Sequence, residues 1–234
     1  MNKQEKGFSR RQMLKMAAGF GGLTAFGGSV FAQEATRLFT PEVALGPFYP
    51  LLKPLDKDAD LTAIAGKTGR AAGKIIHVTG RVLNQKSEPL AGAKIEIWQA
   101  NTHGRYTHSS DPNIVAPLDP NFEGFAVLTT DNEGRYRFKT IKPGPYPMSP
   151  TAQRAPHIHF DFEGKTNRLV SQMFFPNETL NEKDPLFLEL RSRYKLAGKS
   201  ESNADVVIAK SLPSTKEIAA DELLLGWDII LRNV

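Results

Sequence analysis

From Ile75 onward the chain is written in short runs whose apolar positions alternate, the period of a half-buried strand. Residues 75–83 alternate in this way and stop at the turn Asn84-Gln85-Lys86-Ser87-Glu88-Pro89. Residues 93–99 place Ile95 and Ile97 on one face and Lys94 and Glu96 on the other. Residues 125–130 and 135–140 flank the turn Asp131-Asn132-Glu133-Gly134, and 157–162, 169–175, 205–210 and 226–232 complete the predicted strands. Only 185–195 and 215–225 carry a helical pattern. Many short strands at regular spacing predict an all-β fold, a β-sandwich with one or two short helices. Ahead of it, residues 40–73 are rich in Pro, Gly and Asp and keep no period. Residues 33–74 therefore read as an irregular N-terminal arm laid over a single sandwich domain of residues 75–234.

The first 32 residues follow another pattern. A basic start (Lys3, Lys6, Arg10, Arg11, Lys15) leads into an uncharged stretch, which ends in Val30-Phe31-Ala32 with cleavage expected after Ala32. That is the order of an export signal. Ser9-Arg10-Arg11-Gln12-Met13-Leu14-Lys15 resembles the twin-arginine type, with Met13 where that signal prefers Phe. The stretch from Met16 to Gln33 is too short and glycine-rich for a membrane span. The expectation is a periplasmic protein, with secretion beyond the periplasm left open. A twin-arginine route carries folded cargo, often with its cofactor in place.

Composition narrows the chemistry. With 234 residues, 40% hydrophobic and 24% charged, the chain is of ordinary globular make-up. It contains no cysteine, which removes disulfide scaffolds, thiolate metal sites, iron–sulfur clusters and cysteine nucleophiles. The formal net charge of +5 suggests a nucleic-acid partner until its distribution is considered: after residue 32 the Lys/Arg and Asp/Glu nearly balance. No basic field remains to attract phosphates.

The string Arg154-Ala155-Pro156-His157-Ile158-His159-Phe160 is the most informative in the chain. In a strand, His157 and His159 share a face while Ile158 takes the other, so two imidazoles about 7 Å apart along the strand can converge on one metal ion. A His-x-His pair alone is a weak signal. Oxygen donors must complete such a site, and two tyrosines sit in turn-rich settings: Tyr106 in Asn101-Thr102-His103-Gly104-Arg105-Tyr106, and Tyr146 in Lys142-Pro143-Gly144-Pro145-Tyr146-Pro147. Each would otherwise pack as an ordinary aromatic at a sandwich edge, as expected for Tyr49, Tyr136 and Tyr194. His103 and His108 read as loop histidines and His77 as structural. On these residues alone, two other readings stay open: a non-catalytic extracytoplasmic binding module, and a periplasmic copper or zinc protein using the same histidines.

Several separated strings, in order along the chain, resemble the intradiol ring-cleavage dioxygenases. They are Gly46-Pro47-Phe48-Tyr49, Trp98-Gln99-Ala100-Asn101, Gly104-Arg105-Tyr106, Pro117-Leu118-Asp119-Pro120-Asn121-Phe122, Thr140 to Pro147, His157-Ile158-His159-Phe160 and Asp228 to Arg232. The likeness is greatest to the iron-binding chains of the protocatechuate-cleaving members. It implies one Fe(III) per chain held by Tyr106, Tyr146, His157 and His159. It also implies a catechol-type substrate cleaved with O2 to a cis,cis-muconate, with Tyr146 leaving the metal to accept a substrate proton. Arg154 corresponds to the arginine that stabilises negative charge developing on the ring, Gln172 to a glutamine near the substrate oxygens, and Trp98 to a tryptophan beside the site. A homo-oligomer or an α-type partner chain is implied as well. Met148 stands where the protocatechuate enzymes commonly carry Trp, which would make one pocket wall flexible.

Overall fold

The computed structural model describes residues 38–54 and 58–232. Residues 1–37, with the expected export signal and the first residues of the expected arm, residues 55–57 and the last two residues lie outside the described part.

Two sheets carry the fold. The first is built around β1 (Ile75–Leu83), which pairs antiparallel with β4 (Arg135–Ile141) along one edge. Along its other edge β1 pairs in parallel with β10 (Leu223–Gly226) and then β11 (Ile229–Ile230), and β9 (Lys210–Leu212) lies beyond β10. The second sheet has the order β3 (Phe125–Thr129), β2 (Lys94–Trp98), β7 (His157–Glu163), β8 (Arg168–Phe174), antiparallel throughout. Their facing surfaces share one core: Ile76, Val78, Phe138 and Tyr136 from the first sheet meet Ile95, Ile97, Ile158, Phe160 and Phe162 from the second. Phe138 packs edge-on against Phe160 at 5.8 Å between centroids. The expected β-sandwich is the fold observed, and neither sheet closes on itself.

Period-2 alternation accounts for the face that matters. Ile158, Phe160 and Phe162 of β7 enter the sandwich core, so His157, His159 and Asp161 must point the other way. That outer face is also buried, because the arm, the loop after β2 and a hairpin of β5 (Tyr146–Ser149) and β6 (Ala152–Arg154) cover it. The arm is tied down strand-fashion: the Val43 amide donates to the Val170 carbonyl of β8, and the Thr40 amide to Ile230.

Helix α1 (Pro185–Leu196) starts where predicted. Pro185 occupies the first turn and the Asp184 side chain accepts from the amides of Leu186 and Phe187, a cap with proline just inside it. The helix expected over 215–225 is absent: these residues turn, and Leu223–Gly226 pairs with β1 instead. Of Lys216-Glu217-Ile218-Ala219-Ala220 only Ile218 is buried, so the segment has no continuous apolar face to dock as a helix. The strand expected over 205–210 is instead the end of a 3-10 helix (Glu201–Val207), with β9 beginning only at Lys210. The strand expected over 226–232 is split into β10 and β11 around Trp227 and Asp228.

Candidate active site

The site is assembled on the outer face of the second sheet. Register places Trp98 of β2 opposite His159 of β7, and His159 opposite Gln172 of β8, so three adjacent strands present these side chains in one row. Trp98 stacks on the His159 imidazole at 4.8 Å with planes 11° apart. His157, two residues back along β7, follows on the same face. Tyr106 arrives from the loop after β2 and Tyr146 opens β5, and their rings meet edge-to-face at 5.4 Å.

Close backbone packing brings the two tyrosine segments together. Gly104 has φ of +73°, and a Cβ there would lie 2.2 Å from the Pro145 carbonyl oxygen, so only glycine allows this approach. The Gly104 and Gly144 amides both donate to the Asn101 carbonyl, binding one loop to the other. Asp111 accepts the Tyr106 amide at 2.7 Å and fixes the tyrosine within its loop.

The polar atoms then converge. His157 Nε2 lies 3.1 Å from His159 Nε2, which lies 3.1 Å from the Tyr106 hydroxyl. His157 Nδ1 is 2.7 Å from the Ala155 carbonyl. A carbonyl only accepts, so Nδ1 carries the proton and Nε2 turns its lone pair toward the cluster. His159 Nδ1 is buried without a hydrogen-bond partner. Burial pushes both imidazoles well below the ordinary 6.5, and the nearby Arg154 charge pushes the same way. Burial pushes the Tyr106 phenol well above 10.0, and it raises Tyr146 against the opposing pull of Arg154. On its own, the cluster is therefore a set of neutral, lone-pair-rich donors packed against one another, and a bound cation would reverse the tyrosine shifts by favouring the phenolates.

Arg154 is buried and gives each nitrogen a partner. Nε donates to Asp184 at 2.9 Å, Nη2 to Gln172 Oε1 at 2.6 Å, and Nη1 reaches the Tyr146 hydroxyl at 3.4 Å. Gln172 Nε2 donates to the Ala44 carbonyl of the arm, so the arm is part of the site. Further along it, Gly46 has φ of +79°, and a Cβ there would come within 3.1 Å of His159 Cε1. Phe48 fills the space beside the tyrosines, 4.6 Å from the Tyr106 ring and 5.9 Å from that of Tyr146. Tyr49 meets Trp98 edge-on at 5.0 Å and donates to Glu96 at 2.5 Å, and Lys53 grips the same carboxylate. Sequence reasoning drew the arm but not its entry into the site; the Gly46-Pro47-Phe48-Tyr49 string was the available signal.

All seven residues singled out from the sequence (Trp98, Tyr106, Tyr146, Arg154, His157, His159 and Gln172) thus meet in one buried cluster. His103 is exposed and His108 half-buried, both outside it. His77 pairs with Glu222 at 2.6 Å on the first sheet, consistent with a structural role. Tyr136 is buried and donates to the Trp227 carbonyl. Met148, expected as a pocket wall, is 57% exposed, because β5 turns it toward solvent. Among the described residues no group of three His, Cys, Asp or Glu side chains could hold a metal ion, so a copper or zinc site made of histidines and carboxylates is not assembled there.

Two buried tyrosines and two histidines thus bring oxygen and nitrogen donors to one place, and known proteins share this fold and sequence. The Dioxygenase family model matches residues 45–233. The protocatechuate 3,4-dioxygenase beta chain of Burkholderia cepacia is 46% identical over 187 residues, covering 78% of this chain and 74% of that one. A hydroxyquinol 1,2-dioxygenase of a Rhizobium species is 32% identical over 61% of this chain, which spans about half the length of that relative. Among solved structures, the hydroxyquinol 1,2-dioxygenase from Pseudomonas putida DLL-E4 superposes with a TM-score of 0.63 at 19% identity, over 87% of this chain and 69% of that one, a likeness of fold. The chain belongs to the intradiol ring-cleavage dioxygenases.

Proposed function

We propose that this chain is a non-haem ferric dioxygenase acting outside the cytoplasm on a catechol-type aromatic of the protocatechuate kind. The observation that carries the reading is the convergence of the Tyr106 hydroxyl and the Nε2 atoms of His157 and His159, with Tyr146 beside them. The donors fit Fe(III): phenolate oxygen suits a hard, highly charged ion, imidazole completes the set, and burial excludes competing water. Tyr106, Tyr146, His157 and His159 would hold one iron per chain. Bound there, ferric iron would supply the Lewis acidity that ionises two adjacent substrate hydroxyls and readies the ring for O2, the bond between the oxygenated carbons breaking and both oxygen atoms entering a cis,cis-muconate.

The chain's own groups do the rest. Tyr146, which a bound cation would hold as the phenolate, would accept one hydroxyl proton of the arriving substrate at Oη, within reach of Arg154 Nη1, the other proton leaving to solvent. The Arg154 guanidinium then faces negative charge as it develops on the ring, in a dry setting where a fixed cation acts strongly. Gln172, held between Arg154 and the Ala44 carbonyl, orients the substrate oxygens. Trp98 holds the His159 ring plane by stacking, and the Ala155 carbonyl holds the His157 tautomer.

The similarity to a protocatechuate 3,4-dioxygenase beta chain supports a protocatechuate-like substrate and an α-type partner or homo-oligomer. The order of charge, uncharged stretch and cleavage site in residues 1–32 supports export through a twin-arginine route. The test is incubation with protocatechuate, catechol and hydroxyquinol under 18O2, with product mass spectrometry. The expected product is a cis,cis-muconate carrying both labelled atoms; no oxygen uptake, or a ring-opened semialdehyde, would overturn the proposal.

A further inference from the structure

Asp184 lies outside the donor cluster, and the mechanism above gives it no role. Its carboxylate is fully buried and its two oxygens accept four hydrogen bonds. Oδ1 accepts the Leu186 and Phe187 amides at 2.9 and 3.0 Å, capping helix α1. Oδ2 accepts Arg154 Nε at 2.9 Å and the Ala155 amide at 2.8 Å. A cap alone uses one oxygen, so the second is committed to the strand end that carries Arg154 and leads into His157. Both backbone groups of Ala155 are thereby held, its amide by Asp184 and its carbonyl by His157 Nδ1. Helix α1 packs into a core of its own with Phe174 and Ala155, so the carboxylate is anchored to a rigid element.

We propose that Asp184 is a positioning residue of the reaction: it clamps Arg154 Nε to the start of helix α1 and so fixes the plane in which the guanidinium presents Nη1 to Tyr146 and Nη2 to Gln172. A guanidinium is planar, and holding it at one edge directs the other two nitrogens. Its second function is to neutralise a buried cation, so that Arg154 can stay in place before negative charge arrives from the substrate. This inference rests on the dioxygenase reading of the site.

The test separates the clamp from the cap. In Asp184→Asn the side-chain oxygen can still cap the helix, while the amide group meets the donors Arg154 Nε and Ala155 N, so the clamp opens. Asp184→Asn and Arg154→Gln are made singly and together in the full chain, and melting temperature and steady-state kinetics with protocatechuate are measured for each. Asp184→Asn is expected to lower kcat about thirtyfold with KM changed less than threefold. In the Arg154→Gln background it should cost less than twofold more. The melting temperature should fall by several degrees in Asp184→Asn and recover in the double variant, where the unpaired buried cation is gone. If Asp184→Asn alone fails to fold, a folded double variant carries the same meaning. Equal kinetic losses in both backgrounds, or a double variant no more stable than Asp184→Asn, would overturn the clamp. A parent protein that cleaves no catechol would instead sink the functional reading and the role in the reaction with it, while the melting temperatures would still report on the Asp184–Arg154 pair.

Discussion

Removing one hydroxyl should loosen the arm without touching the donor cluster. Tyr49 donates to Glu96 at 2.5 Å and packs edge-on against Trp98, while Gly46 and Phe48, a few residues earlier, cover His159 and the two tyrosines. Tyr49→Phe keeps the ring and its packing and deletes only the hydrogen bond. A bond to a charged acceptor contributes roughly 1.5–3 kcal/mol, and this one is partly exposed and shares its carboxylate with Lys53 and Lys94, so the lower figure applies. About 1.4 kcal/mol is a factor of ten, so the arm should open roughly tenfold more often. The Val43 amide reads this directly, because it is bonded to Val170 only while the arm is docked. Hydrogen exchange followed by mass spectrometry on peptides covering residues 40–49 should speed up about tenfold, with β2 and β7 unchanged. Unchanged arm exchange, or acceleration spread evenly over the sandwich, would refute the view that Tyr49 and Glu96 latch the arm onto the site.

Other outcomes follow from the same geometry. His159→Ala and Tyr106→Phe should each lower bound iron by at least tenfold by metal analysis, since each deletes a donor from the point of convergence. Burial would raise the Glu96 carboxyl, but hydrogen bonds from Lys53, Lys94 and Tyr49 outweigh it and hold the group at about 2, against an ordinary 4.5. The folded value is the lower one, so the contribution is present above pH 4.5 and is lost as pH falls toward 2. The difference in melting temperature between the parent and Glu96→Gln should accordingly shrink over that range. Met148→Trp should leave the melting temperature within about two degrees, because the side chain is mostly exposed, and unchanged relative kcat/KM values for protocatechuate and catechol would remove Met148 from any part in selectivity. Replacing Arg10 and Arg11 by Lys should retain the protein in the cytoplasm, read by cell fractionation.

The sandwich was legible because its strands alternate cleanly. Alternation along β7 was enough to put His157 and His159 on one face and Phe160 on the other. What alternation cannot give is register: that Trp98, His159 and Gln172 stand in one row depends on hydrogen bonds between strands distant in sequence. The tyrosines come from irregular segments with no period to read, so their turn-rich settings made them candidates and the resemblance of their surrounding strings assigned them. The helix from Pro185 was visible in the sequence, whereas the Asp184 carboxylate, which caps it and turns its second oxygen to Arg154, is known only from the tertiary contact. Residues 215–225 misled because their composition suits a helix, while Leu223–Leu225 pair with β1 and the residues before them turn.

The central claim is that these four side chains hold ferric iron and present it to a catechol. The measurement that tests it most directly is metal content with the visible absorption spectrum of the purified protein, before and after anaerobic addition of protocatechuate. One iron per chain, with a tyrosinate-to-iron charge-transfer band that shifts on addition, is the predicted result. A protein that stays colourless and iron-free after ferric reconstitution, or that carries copper or zinc in place of iron, would contradict it.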